Sequence, residues 1–287
     1  MPLHRLFEQR KKNRLLEFVE SWHMRMRNLW AHTSVTDPVG PVVSLTTFGV
    51  RIQLVYLTLE SIARGTVRPS RLILWISEDE RDKVDIASLR RLVNRGLEIR
   101  FCEDWGPHKK YYPYVESTER FDRPLVTADD DVLYPDYWLQ RLVSAHGAEP
   151  NVIHCYRAHH VSVMNGQIQP YNTWPACHSD RPSFLTFATG VSGVIYPESF
   201  LEVARQAGRG FTDKCPRADD VWLHHLAVTS GHRVRQIQAT PVHFVEVRGA
   251  RASALHRFNV KQGGNDAQVA STYSLEAIER LHQQTDT

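Results

Sequence analysis

The chain has 287 residues, 42% apolar and 23% charged, with a formal net charge of +3. That length suits one α/β domain of about 250 residues with a large core, and the near balance of charge excludes the bulk basic surface of a nucleic-acid binder. Cys102, Cys155, Cys177 and Cys215 are widely spaced with no CxxC pair, which excludes a zinc spacing or disulfide framework and predicts free thiols in a reducing compartment.

The first thirty residues carry Arg5, Arg10, Lys11, Lys12, Arg14, Arg25 and Arg27 against Glu8, Glu17 and Glu20. The excess charge therefore sits in this arm, and the body is close to neutral. Leu15, Phe18, Val19, Trp22, Met26 and Leu29 recur at three- and four-residue spacing, which predicts an amphipathic helix in an N-terminal unit, residues 1–38. Two readings stay open for it. It packs on its own domain or a partner subunit, or it lies on an anionic membrane, with Arg and Lys on lipid phosphates and Trp22 and Trp30 at the boundary. The N-terminus lacks an apolar h-region, and no apolar run approaches the ~18–20 residues of a spanning helix. The expectation is a cytoplasmic protein, with peripheral contact at the inner face of the membrane as the second reading.

Along the body, residues 41–47 read as a strand and Ile52 to Ala63 as a helix. Residues 71–76 have the composition of a buried strand, and Ile86 to Arg95 reads as a helix closed by Gly96. Residues 97–101 alternate as a strand, and a helix is expected around Tyr114 to Arg120. A short apolar strand, residues 124–126, then leads into Thr127-Ala128-Asp129-Asp130-Asp131-Val132-Leu133-Tyr134-Pro135. This β-α-β-α-β order predicts a mostly parallel sheet. The triple acid stands at the carboxyl tip of a strand, where open α/β sheets bind ligands. On extended backbone Asp129 and Asp131 point the same way, so together they suit one hard divalent cation, Mg²⁺ or Mn²⁺. An Asp-rich turn is the plainer alternative, but three adjacent acids repel unless a cation compensates.

The second half is less regular. Residues 152–157 read as a strand and Asn165-Gly166 as a turn. Residues 189–197 read as a loop entering a strand, with Gly190 and Gly193 allowing close backbone approach. Residues 217–223 read as a helix start with an acid at the N-cap, and Arg233 to Ile237 as a last strand. Trp174 is a flat apolar ring suited to stacking on a pyranose face, or else a core residue. The polar tail from Arg248 to Asp266 reads as a lid or a plain surface loop.

Thr46-Thr47-Phe48 after the first strand, Glu103-Asp104 after the third, the Asp129–Asp131 tip and Asp219-Asp220 on a later helix together resemble GT-A type glycosyltransferases. The resemblance covers about residues 40–240 and is strongest to bacterial family-2-like transferases of surface polysaccharide synthesis. It implies a Rossmann-like α/β/α sandwich, with a catalytic domain over 39–247 (nucleotide-sugar half 39–135, acceptor half 136–247) and a C-terminal tail over 248–287. It implies transfer of a sugar from a nucleotide-diphospho-sugar, a UDP-sugar first, to a hydroxyl of a glycan or lipid-linked acceptor. Asp129 and Asp131 would then bind Mn²⁺ or Mg²⁺. Thr46, Thr47, Arg51, Asp104, Lys110, Asp130 and Asp219 would contact the donor, with Lys110 on its diphosphate. Asp220 would be the base of an inverting reaction, a retaining course staying open. His243 and His256 are both candidates for a further metal ligand. Two other functions stay in view, a sugar-phosphate nucleotidyltransferase and a non-catalytic scaffold on the same fold. The loop after the first strand has one glycine and one arginine, poor for the former.

Overall fold

A computed structural model describes residues 3–247, 249 and 264–285, with backbone alone for 3–14 and 285. The chain opens with α1 (Leu3–Trp30), then β1 (Val42–Thr46), a 3-10 turn over Gly49–Gln53, α2 (Val55–Ala63), β2 (Arg71–Ser77), α3 (Ala87–Val93), β3 (Leu97–Cys102) and α4 (Tyr112–Ser117). It continues with β4 (Leu125–Ala128), β5 (Val132–Leu133), α5 (Trp138–Ala148), β6 (Ile153–Cys155), β7 (Ala158–His160), β8 (Val163–Met164) and β9 (Gln167–Ile168). Then come β10 (Thr186–Ala188), β11 (Val194–Tyr196), α6 (Glu198–Ala207), α7 (Phe211–Lys214), α8 (Asp219–Ser230), β12 (Val234–Gln236), β13 (Val245–Glu246), α9 (Gly264–Thr272) and α10 (Leu275–Thr285).

The central sheet has seven strands among the described residues, ordered β12-β6-β11-β4-β1-β2-β3. Neighbours are parallel except for β11, which runs antiparallel to both β4 and β6. The period-two alternation of side chains feeds a core on each face. Val43, Leu45, Leu72, Leu74, Ile76, Val126 and Ile195 point to one, shared with α2, α3 and α5. Val42, Ile73, Trp75, Leu125, Val194 and Tyr196 point to the other, shared with α4, α6 and α8. The fold is thus the expected α/β/α sandwich with a mostly parallel sheet. The chain lays β2 and β3 on one side of β1, then returns to put β4 on its other side. The reversal leaves a crevice beyond the carboxyl ends of β1 and β4, the usual ligand position in such sheets.

Several local expectations are corrected. The first helix of the body begins at Val55, because Gly49–Gln53 is a 3-10 turn. The N-cap of α8 is Ala218 without a side-chain cap, and Asp219 and Asp220 occupy the first helical turn. β12 is followed by β13, which pairs antiparallel with β5. Residues 264–266 start α9 and are no loop end, while most of the tail from Arg248 lies outside the described residues. Asn165 and Gly166 do form the predicted turn, both at positive φ between β8 and β9. No described helix is long and apolar enough to cross a membrane.

Candidate active site

β1 and β4 run in register, Leu45 opposite Ala128, so Thr46 and Thr47 stand beside the three acids. The strand ends at Ala128 and the chain turns at Asp130 and Asp131. The three side chains therefore diverge to different partners. Asp130, only 5% exposed, accepts from Thr47 Oγ1 at 2.5 Å and from Arg51 Nη1 at 2.7 Å. Its carbonyl accepts from Thr58 Oγ1 at 2.9 Å. Asp131 pairs with the other arm of Arg51 at 3.1 Å. The Asp129 amide donates to Tyr134 Oη at 2.9 Å, and its carboxylate takes Lys110 Nζ at 2.5 Å.

Lys110 also faces Asp219 at 3.8 Å. Burial works against its ammonium, but Asp129, Asp219 and Asp220 outweigh that and hold its pKa well above the ordinary lysine value. Asp220 Oδ1 accepts from the Gly190 amide at 2.9 Å. A Cβ at position 190 would meet Asp220 Oδ1 at 3.1 Å and Lys110 Nζ at 3.2 Å, so the missing side chain is what lets this loop approach. Gly193, at φ +98, lies flat on Trp138, where a Cβ would be 2.7 Å from the indole. Trp138 Nε1 in turn donates to Ser192 O at 2.8 Å. A core aromatic thus fixes the loop that holds Asp220.

These groups share one cavity of about 1200 Å³. Nine carboxylates line it, against the four cations Arg51, Lys109, Lys110 and Arg217. Asp131 is raised to about 7 by burial and then by Asp129, with Arg51 opposing. Asp220 is raised to about 7 by burial and then by Asp219. The donor set fits a hard divalent cation, since Asp129 and Asp131 offer only oxygen and the negative charge is in excess. No three His, Cys, Asp or Glu side chains converge as a ligand set among the described residues. Two carboxylates completed by substrate oxygens and water is the usual habit of Mg²⁺.

Of the other residues singled out in the sequence, Thr46 lines the cavity and donates to Trp75 O at 3.0 Å. Asp104 stands at the mouth, where it takes Lys109 Nζ at 2.5 Å and the Gly106 amide at 3.2 Å. Thr47 is fully buried, lies outside the cavity lining and donates its hydroxyl to Asp130. Trp174 is corrected to a core residue. It is 4% exposed, its Nε1 donates to Gln169 O at 2.8 Å, and its ring braces Tyr171 at 5.0 Å. Tyr171 is the aromatic that reaches the cavity. His243 lies outside the cavity lining and accepts from Arg157 Nε at 3.3 Å, and His256 lies outside the described residues. Glu246, which the sequence reading missed, lines the cavity from β13, opposite Val132. Lys109 was also missed, though it adjoins Lys110.

A divalent cation bound here would have a measurable signature. Asp131 and Asp220 hold protons in the fold that the unfolded chain releases near pH 4. Their stabilisation is therefore full at low pH and lost as pH rises through about 7. Buried His108, pushed down to about 3, and His224 and His225, pushed down to about 4, act in the opposite sense. Total stability is thus a poor guide, and the increment from added cation is the useful quantity. Mn²⁺ is expected to raise the melting temperature more at about pH 8 than at about pH 5, because ligating carboxylates must first lose their protons. An increment that is flat or falls with pH would contradict the carboxylate site.

No protein-family model matches the chain, and no curated protein sequence does. Among solved structures it is similar to a mannosyltransferase of Pyrobaculum calidifontis in complex with GDP-Man and Mn²⁺, with a TM-score of 0.51 at 17% identity, over 95% of this chain and 77% of that one. A 4-diphosphocytidyl-2C-methyl-D-erythritol synthase of Anaerococcus prevotii gives 0.46 at 11% identity, over 82% of this chain and 98% of that one. At such identities the first likeness shows the fold, a GT-A type Rossmann-like sandwich.

Proposed function

We propose that this chain is a divalent-cation-dependent glycosyltransferase of the family-2-like kind, acting in cell-surface polysaccharide synthesis. In this reading it moves a sugar from a nucleotide-diphospho-sugar to a hydroxyl of a glycan or lipid-linked acceptor. The observation that carries it is the cluster of Asp129, Asp219 and Asp220 around Lys110, with Asp131 lining the same cavity at the β1/β4 crevice. Asp129 and Asp131 would hold Mn²⁺ or Mg²⁺, which supplies Lewis-acid stabilisation of charge on the diphosphate. Asp220 takes the proton of the acceptor hydroxyl as its oxygen attacks the anomeric carbon. The bond from that carbon to the diphosphate breaks, and the nucleoside diphosphate leaves with the electron pair. Burial suits Asp220 to this work, since a base whose pKa is about 7 is both ionised and basic at neutral pH. Lys110 adds positive charge beside the leaving group. Asp104 and Thr46, both in the cavity lining, would meet the nucleoside, and Asp219 would orient Lys110. A nucleotidyltransferase is less well supported, because Arg51, the one cation of the loop after β1, is already held by Asp130 and Asp131.

Calorimetric titration with UDP, GDP, dTDP and CMP, in Mn²⁺ and then in EDTA, tests the reading. One diphosphate is expected to bind tightly in Mn²⁺ and to lose most of its affinity in EDTA. Asp129→Asn should abolish the Mn²⁺-dependent part. Absence of binding in both conditions would overturn the proposal and favour a scaffold.

A further inference from the structure

The second half of α1 is clamped to the body by one face only. Met24 is fully buried against Leu57, Leu133 and Val247. Asn28 donates to Glu60 and to Ser88 O, both at 3.0 Å, and Glu20 pairs with Arg64 at 2.7 Å. These contacts fix the rotation of the helix and turn its apolar stripe outward. Leu15, Phe18, Val19, Trp22 and Leu29 are 64%, 67%, 50%, 56% and 49% exposed. Their spacing puts them in one row along the helix. A folded chain rarely leaves so many large apolar side chains together in water unless something covers them.

The charge distribution identifies the cover. The first thirty residues hold seven basic side chains against three acidic ones. Glu20 and Arg27 are both engaged inward, by Arg64 and Glu60, so the excess that remains is still basic, and Arg25 is exposed. Two copies meeting through this stripe would gain nothing from the basic arms, which repel when the helices are parallel and lie apart when they are antiparallel. An anionic surface is complementary to both the stripe and the arm. We propose that α1 lies flat in the interface of an anionic lipid bilayer, with the Leu15–Leu29 stripe among the acyl chains and the net positive charge of the first thirty residues attracting the anionic lipid. This inference does not depend on the transfer chemistry, since binding is read without donor or acceptor.

Flotation of the full chain with vesicles tests it. Binding is expected to phosphatidylcholine vesicles carrying phosphatidylglycerol, and not to phosphatidylcholine alone. Phe18→Ser with Trp22→Ser should lower the partition about tenfold or more, because two exposed aromatic anchors are lost, and should leave the melting temperature unchanged. Lys11→Glu with Lys12→Glu, a variant that keeps the stripe, should also weaken binding to the anionic vesicles. The proposal is overturned if the wild-type chain stays in solution with anionic vesicles, or if the aromatic variant binds them equally. It is equally overturned if the chain ignores vesicles and forms a dimer that the aromatic variant splits, since a second copy would then be the cover.

Discussion

Asp220→Asn is expected to lower kcat by about 10²–10⁴-fold, the usual contribution of a general base, while the affinity for nucleotide changes little. The amide keeps the shape of the carboxylate and can still accept from the Gly190 amide, which the native side chain does at 2.9 Å. The loop is therefore preserved, and only the capacity to take a proton is lost. The pH profile separates this from a merely structural effect. Because Asp220 ionises at about 7, kcat/KM of the native enzyme should rise as pH climbs through that value and level off above it. The residual activity of the variant should lack that limb. The comparison is made by steady-state kinetics on the nucleotide sugar that calorimetry selects. A variant with more than about a tenth of native kcat would remove Asp220 from the base role, because general-base losses start near 10²-fold.

Glu60→Gln is expected to destabilise the fold by about 3–5 kcal/mol, the typical cost of removing one partner from a buried ion pair. Glu60 is fully buried. It takes Arg95 through Nη1 at 2.6 Å and Nη2 at 3.2 Å, with Arg27 Nε at 3.3 Å and the Asn28 amide at 3.0 Å. A single carboxylate therefore compensates two guanidinium groups. The glutamine fills the same space but carries no charge, so both are left partly uncompensated. For a chain of this size each kcal/mol moves the midpoint by roughly 2–4 °C. A drop of about 10 °C in thermal melting is the expected reading, with hydrogen exchange in α1 rising first, since Arg27 and Asn28 belong to it. A midpoint unchanged from the native protein would show that the cluster adds nothing.

The fold was legible because its elements are local. Buried strands such as Leu72–Ile76 and helix stops such as Gly96 are written in short windows, and their alternation implies the parallel sheet. Antiparallel insertion of β11 between β4 and β6 left no such mark, since register is set by partners far along the chain. The acids were legible because carboxylates at a strand tip are chemically unusual. Their partners were not. The alternation argument for Asp129 and Asp131 assumed extended backbone, whereas the chain turns at Asp130, so their partners Lys110 and Arg51 could not be read from it. Glu246 reaches the cavity only because β13 pairs with β5 across more than a hundred residues, a contact that no local pattern encodes. Trp174 and Tyr171 lie three positions apart, and nothing in composition says which ring faces solvent.

The contact of Gly193 with Trp138 links two positions by volume. Position 193 has no room for even a methyl group while an indole occupies 138, and its φ of +98 is one that L residues rarely adopt. A relative with a side chain at 193 is therefore expected to carry a smaller residue at 138 and a reshaped loop between Thr189 and Gly193. Engineers wishing to widen this cavity face the same constraint. In the proposed reaction, the loop that meets Asp220 through the Gly190 amide rests on an indole from the other core, so a change at Trp138 is expected to alter acceptor preference.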